Sequence, residues 1–247
     1  MKIKMTVGIP AYNEEKTLES TVNTVRSAAR KAKLTNFEIL IINDGSSDRT
    51  AEIISQLEKK YKNVRHHENE TNKGIGAAFK AISKYAQGEK VCVVPGDDIL
   101  SEYTIYQCFI NMSKADLVFI YFVNKELRNR HRIFLSQVFN MICTFMFDTH
   151  VNYLNGSGVY DTRLLQQLTI GSEGYFIAAE MNLKFLLKGA TFCEIPAYIK
   201  PDATKSNALS LKNLLDVITS FIRVYWEIKV KRRKEFSKKP IRVLDQV

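Results

Sequence analysis

The chain has 247 residues, of which 45% are hydrophobic and 25% charged, and carries a formal net charge of +10 at pH 7. This composition excludes a disordered chain, and no run of roughly 18 apolar residues points to a membrane-spanning helix. The length suits one large α/β domain, and the excess positive charge asks for an anionic partner: nucleic acid, an acidic lipid surface or a phosphorylated substrate.

The first half alternates strand and helix signals. "MTVGIPAY" reads as a short apolar strand and not as part of a signal peptide, so a cytoplasmic protein is expected. "EKTLESTVNTVRSAARKA" follows with Leu18, Val22, Val25 and Ala29 at helical spacing. "FEILIINDGSSDRT" gives a β-branched strand and a turn, and "TAEIISQLEKKY" a helix. "NVRHHE" predicts a third strand, "GIGAAFKAISKYA" a third helix and "EKVCVVPGDD" a fourth strand. Such apolar runs separated by helices predict a mostly parallel sheet covered on both faces, which binds ligands at the carboxyl ends of its strands.

Four polar clusters fall at that edge: Pro10, Tyr12, Asn13 and Glu14; Asn43, Asp44 and Gly45; Asn72, Lys73 and Gly74; Asp97 and Asp98. Each alone also reads as a solvated loop, and Pro95–Gly96 as an ordinary turn. Together they suggest a nucleotide pocket. The Asp44 carboxylate would accept hydrogen bonds from a nucleobase or ribose, Lys73 would neutralise a phosphate, and Gly74 would allow close backbone approach. Aspartate oxygens are hard ligands suited to Mg²⁺ or Mn²⁺. Neither GxxxxGK[ST] nor a GxGxxG after the first strand is present, which disfavours a P-loop ATPase or a dinucleotide dehydrogenase. Cys92, Cys108, Cys143 and Cys193 have no zinc-ligand spacing and are expected as buried thiols. His66, His67, His131 and His150 are expected at surface or loop positions.

The strings "VGIPAYNEEKTL", "IINDGSSDRT", "NKGIGAAFKA" and "VVPGDD", in this order, resemble the family 2 glycosyltransferases with the GT-A fold. The resemblance implies a Rossmann-like α/β domain in which Pro10, Ala11, Tyr12, Asn13, Glu14, Asp44 and Gly45 hold the nucleoside of a UDP- or GDP-sugar. Lys73 and Gly74 lie near it. The acidic motif, Asp-x-Asp in the family, departs here: its first aspartate falls on Pro95. Asp97 is then expected as the ligand of Mg²⁺ or Mn²⁺, with Asp98 beside it as a second or supporting group if Gly96 lets the strand turn.

The second half resembles the dolichol-phosphate mannose synthase-like branch. "RIFLSQVFNMICTFMFDTHVNYLNGSGVYDTRLLQQL" matches a basic residue before an amphipathic helix and a Gly/Ser turn. "GYFIAAEMNLKFLLKGATFCEIPAYIKP" matches a helical glutamate, here Glu180, followed by Gly189, Glu194 and Pro196. The branch's arginine and Gly-x-Ser are replaced near Asp202 with only Ser206 kept, so Lys200, Lys205 and Ser206 are candidates for an acceptor phosphate. Residues 1–205 are expected as the GT-A domain, with 1–100 as the nucleotide-sugar half and 101–205 as the acceptor half. Residues 206–247 are expected as an amphipathic helix and basic tail.

The implied reaction is metal-dependent transfer, with inversion, from a nucleoside diphosphate sugar to a polyprenyl phosphate. A lipid phosphate needs no strong base, whereas a saccharide hydroxyl acceptor would need one, and Glu180 is the candidate. Its pairing with Lys184 one helical turn on is an equal expectation. Residues 133–146 and 214–228 carry apolar faces beside "RNRHR" and "KVKRRKEFSKKPIR". Core burial accounts for most of such faces, yet they also suit peripheral contact with the inner membrane face. Surface polysaccharide synthesis, or sugar-nucleotide binding with lost activity, are the alternatives. A nucleic-acid role is disfavoured, and a homo-oligomer is left open.

Overall fold

The computed structural model describes residues 2–200 and 211–243. Its chain runs β1 (Met5–Ala11), α1 (Leu18–Lys31), β2 (Phe37–Asn43), α2 (Thr50–Lys60), β3 (Val64–Glu68), α3 (Ile75–Tyr85), β4 (Lys90–Val93) and α4 (Glu102–Asn111). There follow β5 (Leu117–Phe122), α5 (Arg130–Phe147), β6 (Gly158–Asp161), α6 (Thr162–Gln166), α7 (Ile177–Leu187), β7 (Thr191–Ala197), α8 (Leu211–Trp226) and β8 (Ile241–Arg242).

The strands form one sheet in the order β3-β2-β1-β4-β6-β5-β7-β8. The pairs β1–β2, β1–β4, β2–β3, β5–β7 and β7–β8 are parallel. Among the described strands only β6 runs antiparallel, between β4 and β5. This is the expected α/β, mostly parallel architecture.

Alternation along β2 shows how the sheet is covered. Ile39 and Ile41 pack with Leu18, Val22 and Val25 of α1 and Ile105 of α4, while Leu40 and Ile42 pack on the other side with Phe79 and Ile82 of α3. A strand buried on both faces has no polar face to present, which is why its sequence is apolar throughout. α7 belongs to the second layer, and all 11 of its residues are buried.

Pro10 sits in a central strand, where a missing N–H would ordinarily break a ladder. Its carbonyl accepts the Gly96 N–H at 3.2 Å, so this edge of Pro10 faces the chain leaving β4, and the β1–β4 ladder has already ended at Gly8 and Val93. The proline therefore costs no ladder bond and marks the point where β1 and β4 part.

Residues 211–243, within the segment expected as an amphipathic helix and basic tail, share the core of the sheet's second layer. Val224, Ile228 and Phe236 are buried in the second layer, and β8 pairs with β7. The helix ends at Trp226 and passes into one π-helical turn, Glu227–Lys231.

Candidate functional site

Where β1 and β4 part, the four polar clusters meet. Asp44 N–H donates to the Ala11 carbonyl at 2.9 Å, and Gly96 N–H to that of Pro10, so the ends of β2 and β4 flank the end of β1. The loop after β1 is fastened to the loop after β2. Asn13, in the left-handed region with φ 57°, accepts the Ser47 N–H at Oδ1 (2.9 Å) and donates its own N–H to Ser46 Oγ (3.0 Å). Glu14 N–H donates to Thr50 Oγ1 at 2.8 Å. Burial opposes the charge of Asp48, but the Thr50 hydroxyl and then the Thr50 and Glu15 N–H groups, all donating to it, hold its carboxyl below the ordinary value. Tyr12 is exposed at the rim.

Asp44 is buried and organises the third cluster. Its Oδ1 accepts from Asn69 Nδ2 at 2.8 Å and from Lys73 N–H at 3.0 Å, and its Oδ2 from Gly74 N–H at 2.7 Å. Gly45 has φ +68°, and a Cβ there would lie 2.5 Å from the Thr71 backbone, so only glycine lets the two loops approach this closely. The expected neighbours Asp44, Lys73 and Gly74 are thus brought together. Three of the roughly four lone-pair sites of the carboxylate are already used within the protein, which makes Asp44 first a clamp on the loop before α3.

The acidic loop divides its two aspartates. Because β4 ends at Val93, residues 97 and 98 are free of strand alternation. Asp97 is half-buried and accepts one N–H, from Ile99 at 3.3 Å. Burial pushes its carboxyl above the ordinary value, the Asp98 charge adds to this, and the Ile99 N–H and Arg132 oppose it. Glu14 is likewise raised, first by burial and then by Asp97 and Asp48, with the Thr17 hydroxyl opposing. Asp98 has φ 55° and turns to Ser20 Oγ (2.7 Å) and Lys200 Nζ (2.7 Å). The chain does turn here, and the turn brings the second carboxylate, expected as a second or supporting metal group, against a lysine. Lys200, a candidate for the acceptor phosphate, is spent on the same pair. Lys205 and Ser206 lie outside the described residues.

Among the described residues no group of three or more His, Cys, Asp or Glu is arranged to hold a metal ion. The donors present still fit Mg²⁺ or Mn²⁺ held in another way. Both carboxyls, of Asp97 and Glu14, are raised first by burial, and the Asp97 charge adds to the cost at Glu14, a cost that a divalent ion relieves; Mg²⁺ is commonly held by one or two carboxylates with phosphate oxygens and water completing its shell.

Glu180 stands elsewhere. Its side chain is fully buried (0% exposed) and accepts from Gly171 N–H (2.9 Å), Ser172 N–H (2.7 Å) and Lys184 Nζ (2.7 Å). Burial opposes its charge, but the Gly171 N–H, Lys184 and Ser172 hold its carboxyl below the ordinary value. A buried carboxylate with depressed basicity and occupied oxygens is a poor proton acceptor, and of the two expectations for Glu180 the Lys184 pairing is the contact present. What Glu180 fixes is the loop at 171–173. The Glu173 carbonyl in turn accepts the Gly76 N–H at 2.9 Å, beside the Gly74 turn that Asp44 clamps.

Sequence reasoning missed a basic pocket whose Arg132 is near enough to Asp97 for their charges to interact. A cavity of about 190 Å³ is lined by Lys125, Arg128, Arg132, Ser136, Phe122 and Tyr153, among others. The Arg128 guanidinium lies 4.2 Å from the centre of the Phe122 ring, and its Nε is buried without a hydrogen-bond partner. Burial lowers the ordinarily high basicity of Arg132, as does Arg128, while Tyr153, Tyr175 and Asp97 oppose that. "RNRHR" gave the signal as a charge run; that two of its arginines turn inward was invisible because Phe122 and Tyr153 come from β5 and from the loop after α5.

Apart from Glu180 and Lys200, most of this geometry lies within a segment, residues 6–167, that matches the model of "Glycosyl transferase family 2". The dolichyl-phosphate beta-glucosyltransferase ALG5A of Trichomonas vaginalis is 36% identical over 99 residues, covering 38% of this chain and 31% of that protein. ALG5D of the same organism is 31% identical over 144 residues, covering 54% and 44%. The chain thus aligns with less than half the length of these relatives. Among solved structures, glucosyl-3-phosphoglycerate synthase from Mycobacterium tuberculosis, in complex with Mn²⁺, UDP and phosphoglyceric acid, superposes with a TM-score of 0.67 at 17% identity over 90% of this chain and 78% of that one. TarS 1–349 from S. aureus, in complex with UDP-GlcNAc, gives 0.60 at 23% identity, covering 92% and 67%. These two likenesses show the shared GT-A-like fold, and the matched segment, about two thirds of the chain, shows the family: this chain belongs to glycosyl transferase family 2.

Proposed function

We propose that the protein transfers a glycosyl group from a nucleoside diphosphate sugar to a polyprenyl phosphate at a membrane surface. The observation that carries this reading is the position of Arg132, whose charge is felt by Asp97 at the donor edge and which lines a cavity with Arg128 and Lys125. An anionic acceptor head group placed there would stand beside the sugar of a donor held at Asp97. The loops of Pro10–Glu14 and Asp44–Gly45 would enclose the nucleoside, and Lys73, whose side chain is exposed at the mouth, would meet the diphosphate.

A divalent ion at Asp97, when bound, would neutralise charge on the departing diphosphate. The protein's own part is to orient the two substrates and to supply fixed positive charge to the acceptor. A phosphate oxygen is already ionised near neutral pH, so the attack needs no base, in keeping with the sequestered state of Glu180. The relatives named as dolichyl-phosphate glucosyltransferases support the same acceptor class.

The acceptor's lipid tail has a matching surface. Phe134, Met141 and Phe145 of α5 and Leu211, Ile222 and Trp226 of α8 are exposed, Phe145 to 86%. The two helices meet through Phe147, whose ring is 5.8 Å from those of Phe221 and Tyr225. Burial does not consume these faces, as sequence reasoning had favoured. Exposed Lys231, Arg233 and Lys234 follow α8, a pairing of apolar and basic surface suited to an anionic bilayer. No helix among the described residues is long and apolar enough to cross a membrane.

The test is incubation of the purified protein with labelled UDP- and GDP-sugars, Mn²⁺ or Mg²⁺, and either undecaprenyl or dolichyl phosphate or a glycan. Label that moves into the organic phase with the lipid phosphate supports the reading. Label found only on the glycan replaces it with a saccharide-hydroxyl acceptor.

A further inference from the structure

The pairing of Asp98 with Lys200 joins the loop after β4 to the end of β7. Lys200 Nζ lies 2.7 Å from Asp98 Oδ2, the same oxygen accepts the Ser20 hydroxyl, and Thr24 Oγ1 lies 3.4 Å from both Asp98 Oδ1 and Lys200 Nζ. An ion pair between side chains on separate loops ordinarily gains little, because holding them together costs entropy. Here the backbones are already tied. Lys200 N–H donates to the Ile99 carbonyl at 2.9 Å, Ser101 N–H to that of Tyr198 at 3.1 Å, and Leu100 and Ile199 form an antiparallel bridge. The lysine and the aspartate are therefore delivered to each other by the fold.

We propose that Lys200 is a resident cation of the donor pocket: it takes Asp98 for itself and leaves Asp97 as the carboxylate of that loop offered to a divalent ion. The proposal rests on the donor reading above. With one of two adjacent carboxylates neutralised, a free divalent ion finds a weaker field than the "DD" pair suggests. A nucleoside diphosphate meets one fewer uncompensated carboxylate at its binding edge before any ion is added. Lys200 is then a positioning residue for the metal loop, in place of the acceptor-phosphate role expected from sequence.

Binding of Mn²⁺ alone, followed by electron paramagnetic resonance of the free ion, tests this on the wild-type chain, Lys200→Met, Lys200→Arg and Asp98→Asn. Removing one unit charge within several ångströms of the ion should tighten Mn²⁺ binding about fivefold to tenfold in Lys200→Met and weaken it by a similar factor in Asp98→Asn. Lys200→Arg should stay within about twofold of wild type, since its charge is kept. In calorimetry without metal, Lys200→Met should also bind UDP or GDP about fivefold more weakly than wild type. Unchanged Mn²⁺ affinity in Lys200→Met, or shifts of the same sign in Lys200→Met and Asp98→Asn, overturns the proposal. If none of the proteins binds UDP or GDP at any Mn²⁺ concentration, the donor reading fails, while the Mn²⁺ comparison still decides the role of Lys200.

Discussion

Oδ2 of Asp44 accepts the N–H of Gly74 at 2.7 Å, across 30 residues of chain. That bond, with those from Lys73 and Asn69, sets the loop before α3 against the end of β2. Asp44→Ala would leave these buried N–H groups without an acceptor, at a cost of about 1–3 kcal/mol. We expect a Tm lower by several degrees and nucleoside diphosphate binding lost by at least tenfold, read by differential scanning calorimetry and by titration calorimetry. Nucleotide affinity equal to wild type would remove Asp44 from the donor pocket.

Asp97 gives a pH-dependent prediction with a definite sign. Its folded carboxyl is raised above the ordinary 3.8, so the native state holds that proton more tightly than the unfolded chain does, and ionisation costs stability as pH rises past this range. A divalent ion relieves the cost. Mn²⁺ should therefore raise Tm at pH 7 and lose that effect as pH falls toward the carboxyl range, and Asp97→Asn should abolish it at every pH. The same substitution should lower kcat by roughly a hundredfold or more, the scale of losing one electrostatic stabiliser of a leaving group.

Glu180 carries the opposite sign. Its folded carboxyl lies below the ordinary 4.5, so its contribution to stability is complete above pH 4.5 and disappears as pH falls through the depressed value. Glu180→Ala should destabilise the fold by about 3 kcal/mol, because Lys184 and two backbone N–H groups lose their buried partner. Acid denaturation of that variant should have a shallower pH dependence than wild type below pH 4.5. An unaltered Tm combined with abolished transfer would restore Glu180 as a catalytic base.

Arg132 should separate acceptor from donor. Arg132→Met is expected to raise KM for polyprenyl phosphate by about tenfold to a hundredfold, the range for one charge-assisted contact to phosphate. Affinity for the nucleoside diphosphate should stay within about threefold. Equal losses on both substrates would place Arg132 at the diphosphate instead.

Phe145 and Trp226 test the membrane face. Phe145→Glu and Trp226→Glu sit at exposed positions, so Tm should change by no more than about 0.5 kcal/mol equivalent. Sedimentation with vesicles containing anionic lipid should fall several-fold, and transfer to a short water-soluble polyprenyl phosphate should persist. Full vesicle binding by the double variant would assign the exposed face to another partner.

Much of this was legible in the residues themselves. Strand type, helix spacing and the four polar clusters follow from local chemistry: a run such as "FEILIIN" has no polar face to turn outward, and Gly45 and Gly74 occupy left-handed turns that glycine tolerates best. Parallel topology then forces those clusters to one edge, which is why Asp44, Lys73 and Gly74 could be placed together from the sequence. The sequence could not decide what each charged side chain would face. Glu180 and Asp98 bear the same carboxylate as Asp97, yet one is sealed among Lys184 and two backbone N–H groups and the other is paired with a lysine more than 100 positions away. Arg132 turns into a cavity walled by Phe122 and Tyr153 rather than outward. A residue's type sets the chemistry it is capable of; burial and the charges brought to it by distant chain set its protonation and its access to a ligand, and these arise only when the tertiary fold closes.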